Sequence, residues 1–257
     1  MMEQIEKIPT TCVLDGDIIA YKAAYWAETE GIEYLPDRIK HDIKAWTPPQ
    51  CDTVYVALSC DRSDNFRRKV WDPYKRHRDS SSHVPPDCLS YAVELVSESN
   101  CLKHSNIEAD DIMGMMASSY NAVAVTIDKD LRSVRGWHWN PMKEEKCILL
   151  DARTAEYNFH SQWLSGDTTD NVPGIWRCGP AKAAKILGST TPDNWTHAVL
   201  ATYEQALDVN GCSYGYDYAV KMAQCVRILR HGEYDSMTET IALYQPYLYP
   251  PLWEKNL

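Results

Sequence analysis

The chain has 257 residues, of which 44% are hydrophobic, with a formal net charge of −10 and a pI near 5.3. This is enough apolar material for a substantial core, and no apolar run approaches the length needed to cross a bilayer, so a membrane-spanning class is excluded. Acidity alone does not exclude a nucleic-acid partner, because the distribution of charge matters more than its sum.

In chain order, TCVL at 11–14 reads as a buried parallel strand that runs into Asp15. A helix is expected from 17 to 28, carrying Lys22, and another over 36–46. VYVALSC at 54–60 repeats the strand pattern and ends in Asp61. The most basic stretch follows: Arg62, Arg67, Arg68, Lys69, Lys75, Arg76 and Arg78, interleaved with Phe66, Trp71 and Tyr74. Cations on phosphates and rings on unpaired bases suit single-stranded nucleic acid, although a solvated basic helix would read the same way. DSSSH at 79–83 reads as a flexible linker, and 86–97 as a helix. Glu108, Asp110 and Asp111 open a helix over 108–119, and AVAVTI at 122–127 is a third strand, running into Asp128 with Asp130 two residues on. An edge strand over 146–150, a helix over 152–164, two helical stretches at 193–209 and 214–231, and an extended proline-rich end at 245–253 complete the chain. Trp195, Tyr203 and Tyr218 read as core.

Between these helices lies GDTTDNVPGIWRCGPAKAAKIL at 166–187. It carries Asp167 and Asp170, then Gly174 and Gly179, which allow backbone N–H groups close to a ligand, and Pro180 opening a helix with Lys182 and Lys185. Such a hairpin suits a phosphodiester backbone; a solvated helical hairpin is the plain alternative. In an open parallel sheet the carboxyl ends of the strands line the ligand crevice, so Asp15, Asp61 and Asp128 converge there. The preference of helix N-termini for acids accounts for 108–111 but not for the strand ends. So many carboxylates together repel unless cations intervene, and an all-oxygen donor set favours Mg²⁺ or Mn²⁺. Two such ions can activate water and stabilise the leaving oxygen of a phosphodiester. The nine cysteines are odd in number and form no C-x-x-C; Cys12 and Cys60 fall in apolar strands, so reduced core thiols are expected.

LDGD at 14–17, the 61–78 block, EADD at 108–111, TIDKD at 126–130 and the 166–187 hairpin occur in the order found in the structure-specific 5′ nucleases, which the chain resembles. These are the flap endonucleases, the 5′ nuclease domain of bacterial DNA polymerase I and the phage 5′–3′ exonucleases. The resemblance implies an α/β, PIN-like fold. A central, mostly parallel sheet flanked by helices would form a nuclease domain over 1–155, with a helical arch around 62–100. A helical domain over 156–257 would contain a helix-three-turn-helix at 166–187. By motif, Asp15, Asp61, Glu108, Asp110 and Asp111 would form the inner metal set, and Asp128, Asp130, Asp167 and Asp170 the other. Lys75 would contact the scissile phosphate. Lys22 stands where the family usually has arginine. Arg67, Arg68, Tyr74, Arg76, Arg78, Gly174, Gly179, Lys182 and Lys185 would bind DNA, with K⁺ at the hairpin. The expected activity is Mg²⁺- or Mn²⁺-dependent cleavage near 5′ flaps, nicks and duplex ends. RNA–DNA hybrid is a further substrate, the enzyme acting as a monomer in phage-type replication or processing. The N-terminal MMEQIEKIPTT has no apolar centre, which points to the cytoplasm, that of the host for a phage chain. Two alternatives stand: a PIN-type ribonuclease, which has no reason to carry the hairpin, and a catalytically silent junction-binding protein, which has no need of the full acid set.

Overall fold

The computed structural model describes residues 7–79 and 86–246. Six strands form one sheet in the order β3-β2-β1-β4-β5-β6. β1 (Thr11–Asp15), β2 (Thr53–Leu58), β3 (Cys101–Lys103), β4 (Val123–Val125) and β5 (Gly136–Trp139) are parallel, and β6 (Ile148–Leu150) runs antiparallel at the edge. β1 and β4 are buried on both faces, which is why they read as unbroken apolar runs. Cys12 and Leu14 pack with α1 (Gly16–Glu30), α2 (Leu35–Ala45) and α4 (Leu89–Ser97); Val13 faces the opposite layer, with α5 (Ala109–Ser118). Registering Asp15 beside Ala57, and Leu14 beside Val125, brings the carboxyl ends of β1, β2 and β4 together.

A second core, around Trp163, Phe159 and Tyr203, is built by α6 (Ala152–Ser165), α7 (Pro180–Gly188), α8 (Trp195–Gln205) and α9 (Gly215–Val226). It also takes in Tyr74, with Val70 and Trp71 packed against it. Trp195 and Tyr203 are buried and Tyr218 is packed against them.

Several elements depart from the sequence expectation. β3 and β5 went unread because three or four residues give no periodicity, and a two-residue hairpin, β7 (Tyr234–Asp235) with β8 (Thr240–Ile241), is shorter still. The basic block does not form one long helix. It contributes the five-residue α3 (Phe66–Val70) and a 3₁₀ turn at Arg76–Arg78. The helix expected over 214–231 stops at Val226, because the backbone turns extended at Arg227 and the Leu229 N–H donates to the buried Asp111 carboxylate at 3.0 Å. The expected linker at 79–83 lies, apart from Asp79, outside the described residues, as does the 245–253 end beyond 246. All nine cysteines are free thiols, with Cys12 buried and Cys60 half-buried.

Candidate metal centre

The site begins where β1 ends. Asp15 caps α1, its Oδ1 accepting the Ile18 N–H at 3.1 Å and its Oδ2 the Thr126 hydroxyl at 2.7 Å. Thr126 Oγ1 in turn accepts the Asp128 N–H at 3.0 Å, so one hydroxyl ties the ends of β1 and β4. Gly16 permits this closeness: a Cβ there would lie 2.5 Å from the Ala57 carbonyl oxygen. Asp17 follows, held by the Ser59 hydroxyl at 2.5 Å and the Ser59 N–H at 3.3 Å, while the Ala109 N–H donates to Ser59 Oγ at 3.0 Å. Neither Asp17 nor Ser59 stood out in the sequence, since an acid in a first helical turn is ordinary; the signal was Asp17 inside LDGD, two residues from a strand-end aspartate.

A cleft of about 920 Å³ opens over these residues. Asp15, Asp17, Glu108, Asp110, Asp128, Asp130, Asp167 and Asp170 all line it, so acids from both halves of the chain meet at one place. Burial, then the Asp17 charge, pushes the Asp15 carboxyl up to about 7. Burial, followed by Asp15, Asp128 and Glu108, drives Asp110 well above the ordinary range. Burial also raises Asp17 against the Ser59 hydrogen bonds. Asp130 rises to about 7 through burial, the Asp128 charge and the neighbouring Asp167 carboxyl. Nearby Lys75 and Lys129 offset these shifts only in part. The oxygen-only donor set of these acids fits a hard divalent cation. Among the described residues no three side chains already converge at coordinating distance. A cation here would therefore retain part of its water shell, as Mg²⁺ commonly does.

Glu108 is the exception. Burial pushes it up, but the Lys75 and Arg67 charges and hydrogen bonds from Lys75 and Tyr74 hold it at about 2. Lys75 Nζ lies 2.5 Å from Glu108 Oε1 and 3.3 Å from Asp170 Oδ2, deep in the cleft. Arg78 donates to Asp170 Oδ1 at 2.8 Å and to the Thr169 carbonyl at 2.9 Å. Lys22 stands on the cleft wall, 4.9 Å from the Trp46 ring centre.

Three assignments are corrected. Asp111 is fully buried and both oxygens are engaged: Oδ1 by Arg67 and the Leu229 N–H, Oδ2 by Arg67 and the Glu108 N–H. No lone pair faces the cleft for a metal. Arg67, 2% exposed, is the buried partner of that pair and not a DNA contact. Tyr74 is 1% exposed, its hydroxyl 2.8 Å from Glu108 and 2.9 Å from Asp170, so it positions acids and offers no face to a base. Asp61 also lines the cleft, on its exposed rim and 3.3 Å from Lys103. Gly179, at the start of α7, stands in open space, and with an ordinary φ of −82° its backbone does not demand glycine. Gly174 does: its φ is +61° and a Cβ would lie 2.3 Å from the Gly166 nitrogen. Arg68 and Arg76 are paired with Asp79 and Asp72 at 2.8 and 2.6 Å, while Lys182 and Lys185 stand exposed on α7.

Because Asp15 and Asp130 protonate more readily in the folded than in the unfolded chain, the folded state holds extra protons between about pH 4 and 7. The buried His138, held at about 4, and His160, also lowered by burial, act in the opposite sense below about pH 6.5, as Glu108 does below about pH 4.5. Metal-free stability is therefore expected to fall as pH rises from 6.5 to 8, with Mg²⁺ restoring the loss at pH 8. Melting curves in EDTA at pH 6.5 and pH 8 check this; a higher melting temperature at pH 8 without metal would contradict it.

No family model matches the chain. The exodeoxyribonuclease of enterobacteria phage T3 is 25% identical over 285 residues, spanning 91% of this chain and 92% of the relative. The DNA polymerase I of Rhizobium leguminosarum is 30% identical over 154 residues, 52% of this chain and 15% of that protein. In fold, the chain is similar to the bacteriophage T5 flap endonuclease solved with DNA and metal ions, with a TM-score of 0.55 at 12% identity over 84% of this chain and 85% of that one. With relatives of this kind matching along nearly the whole chain, a mostly parallel sheet, and acids at its carboxyl edge, the chain is similar to the 5′ nucleases in sequence and in fold.

Proposed function

We propose that the chain is a divalent-metal-dependent 5′–3′ exonuclease and flap endonuclease, hydrolysing DNA phosphodiesters near 5′ ends and single-strand/duplex junctions. The observation that carries this reading is the meeting of Asp15, Asp17, Glu108, Asp110, Asp128, Asp130, Asp167 and Asp170 in one cleft with Lys75 among them. Divalent ions held there by Asp15, Asp17, Asp110, Asp128, Asp130, Asp167 and Asp170, Mg²⁺ or Mn²⁺ by donor type, would supply Lewis acidity for water attack and for the leaving oxygen. The chain's own residues do the rest. Ser59 and Thr126 fix the carboxylates of Asp17 and Asp15. Lys75 brings an ammonium to the phosphate that displaces it from Glu108 and Asp170, and Lys182 and Lys185 hold the duplex backbone without reading sequence. The same reading extends to K⁺ at the hairpin, to RNA–DNA hybrids and to action as a monomer. Among the described residues no helix is long and apolar enough to cross a membrane.

Digestion of a 5′-labelled flap, a nicked duplex and an RNA-primed duplex, with Mg²⁺ and with EDTA, tests it. Short 5′ products from flap and nick, absent in EDTA, are expected. Cleavage of single-stranded RNA alone would favour the PIN-type ribonuclease instead.

A further inference from the structure

The stretch that carries Lys75 is neither helix nor strand. α3 ends at Val70, and from Trp71 onward the chain makes only turns until Lys75, which is left-handed with a φ of 51°. A residue with a Cβ holds that conformation only where its surroundings enforce it. Here the enforcement comes from three consecutive residues of the hairpin. Arg78 donates to the Thr169 carbonyl at 2.9 Å, the Lys75 N–H to the Asp170 carbonyl at 2.9 Å, and the Trp71 Nε1–H to the Asn171 carbonyl at 3.1 Å. The Asn171 side chain returns the bond, its Nδ2 donating to the Pro73 carbonyl at 2.8 Å. Asn171 is itself left-handed, with a φ of 58°, inside a turn closed by the paired Asp167 and Val172 backbone bonds at 2.7 and 2.8 Å. Asparagine tolerates that geometry because its short polar side chain can bond locally. It therefore grips the 71–75 turn at two points from a fixed base. Asn171 is exposed, and one solvent-facing hydrogen bond adds little to stability. A shift of about 1 Å in a catalytic group, by contrast, can cost about 100-fold in rate.

We propose that Asn171 is a positioning residue for Lys75: its amide and carbonyl fasten the 71–75 turn and so set where the ammonium meets the phosphate. This inference rests on the nuclease reading above and on the role given there to Lys75.

The test is a double-mutant cycle on single-turnover cleavage of the 5′-labelled flap, with duplex affinity measured in Ca²⁺. Asn171→Gly removes the amide and keeps the backbone, since glycine adopts a φ of 58° freely. It is expected to slow cleavage roughly 10- to 100-fold, as for a misplaced catalytic group. Duplex affinity should be unchanged, and the melting temperature should stay within a few degrees of wild type. In a Lys75→Ala background the same substitution should cost nothing further, because the group it positions is gone. Trp71→Phe, which loses the indole donor and keeps a ring against Tyr218, should repeat the pattern in milder form. A wild-type rate in Asn171→Gly would overturn the inference while leaving the nuclease reading intact. An equal loss with and without Lys75 would overturn it too, and so would a matched loss of duplex affinity, which would make Asn171 part of a DNA contact. Lys75→Ala cutting at the wild-type rate would remove the role of Lys75 and this inference with it, and wild-type protein that leaves flap and nick uncut would bring down the nuclease reading as well.

Discussion

Lys75→Ala is expected to lower single-turnover cleavage about 100- to 1000-fold, the usual cost of removing a positioned electrostatic group from a transition state. Lys75 has the burial and placement for that role. Its ammonium sits 2.5 Å from Glu108 and 3.3 Å from Asp170 in the acid-lined cleft. Burial works against its charge, but Glu108 and then Asp170 overcompensate, so it stays protonated at any working pH. Its backbone is left-handed, with a φ of 51°, and its N–H donates to the Asp170 carbonyl at 2.9 Å, so loop and lysine are positioned as one unit. Duplex affinity in Ca²⁺ should change only a few-fold, because other cations carry most of it. Equal losses of rate and affinity would make Lys75 a tether, and an unchanged rate would move the role to Lys22.

Asp111→Ala should leave the cleft's donors in place and yet cost the most stability of any acid in EADD. It removes the main countercharge of the Arg67 guanidinium, which is 2% exposed and donates to both Asp111 oxygens at 2.7 Å, leaving it the Cys225 and Arg227 carbonyls and Glu108 at 3.4 Å. Breaking a buried pair by removing one partner typically costs about 3–5 kcal/mol. At roughly 2–4 °C per kcal/mol for a chain of this size, the melting temperature should drop by on the order of 10 °C. Asp110→Asn should do the opposite without metal, since it removes a charge that burial and Asp15 already disfavour. Calorimetry in EDTA on the two variants separates a structural acid from a functional one; a similar shift for both would contradict the division.

The acid-lined cleft was legible because the apolar runs at 11–14, 54–60 and 122–127, which hold β1, β2 and β4, are each followed by aspartate. What the sequence hid was the division of labour among identical residue types. Asp110 and Asp111 are neighbours with opposite fates, set by which side of α5 faces Arg67. The spacing of Glu108 and Asp111 was the missed clue, since acids three apart at a helix start commonly bond each other's backbone, as these do. Tyr74 and Arg67 sit in a basic, aromatic stretch that suggested a surface, but both are buried by contacts with residues far along the chain, Cys225, Arg227 and Asp170 among them. No local pattern carries such contacts. Asp17 was passed over for the converse reason, its buried hydrogen bonds coming from Ser59 on another strand.

Calorimetric titration of Ca²⁺ into the metal-free protein, with Asp110→Asn and Asp61→Asn alongside, tests the metal centre most directly. Divalent binding by the wild type is expected, with a loss of tenfold or more in Asp110→Asn, for roughly 1.4 kcal/mol or more of coordination, and near wild-type binding in the rim variant Asp61→Asn. Absence of divalent binding by the wild type, or undiminished binding by Asp110→Asn, would contradict it.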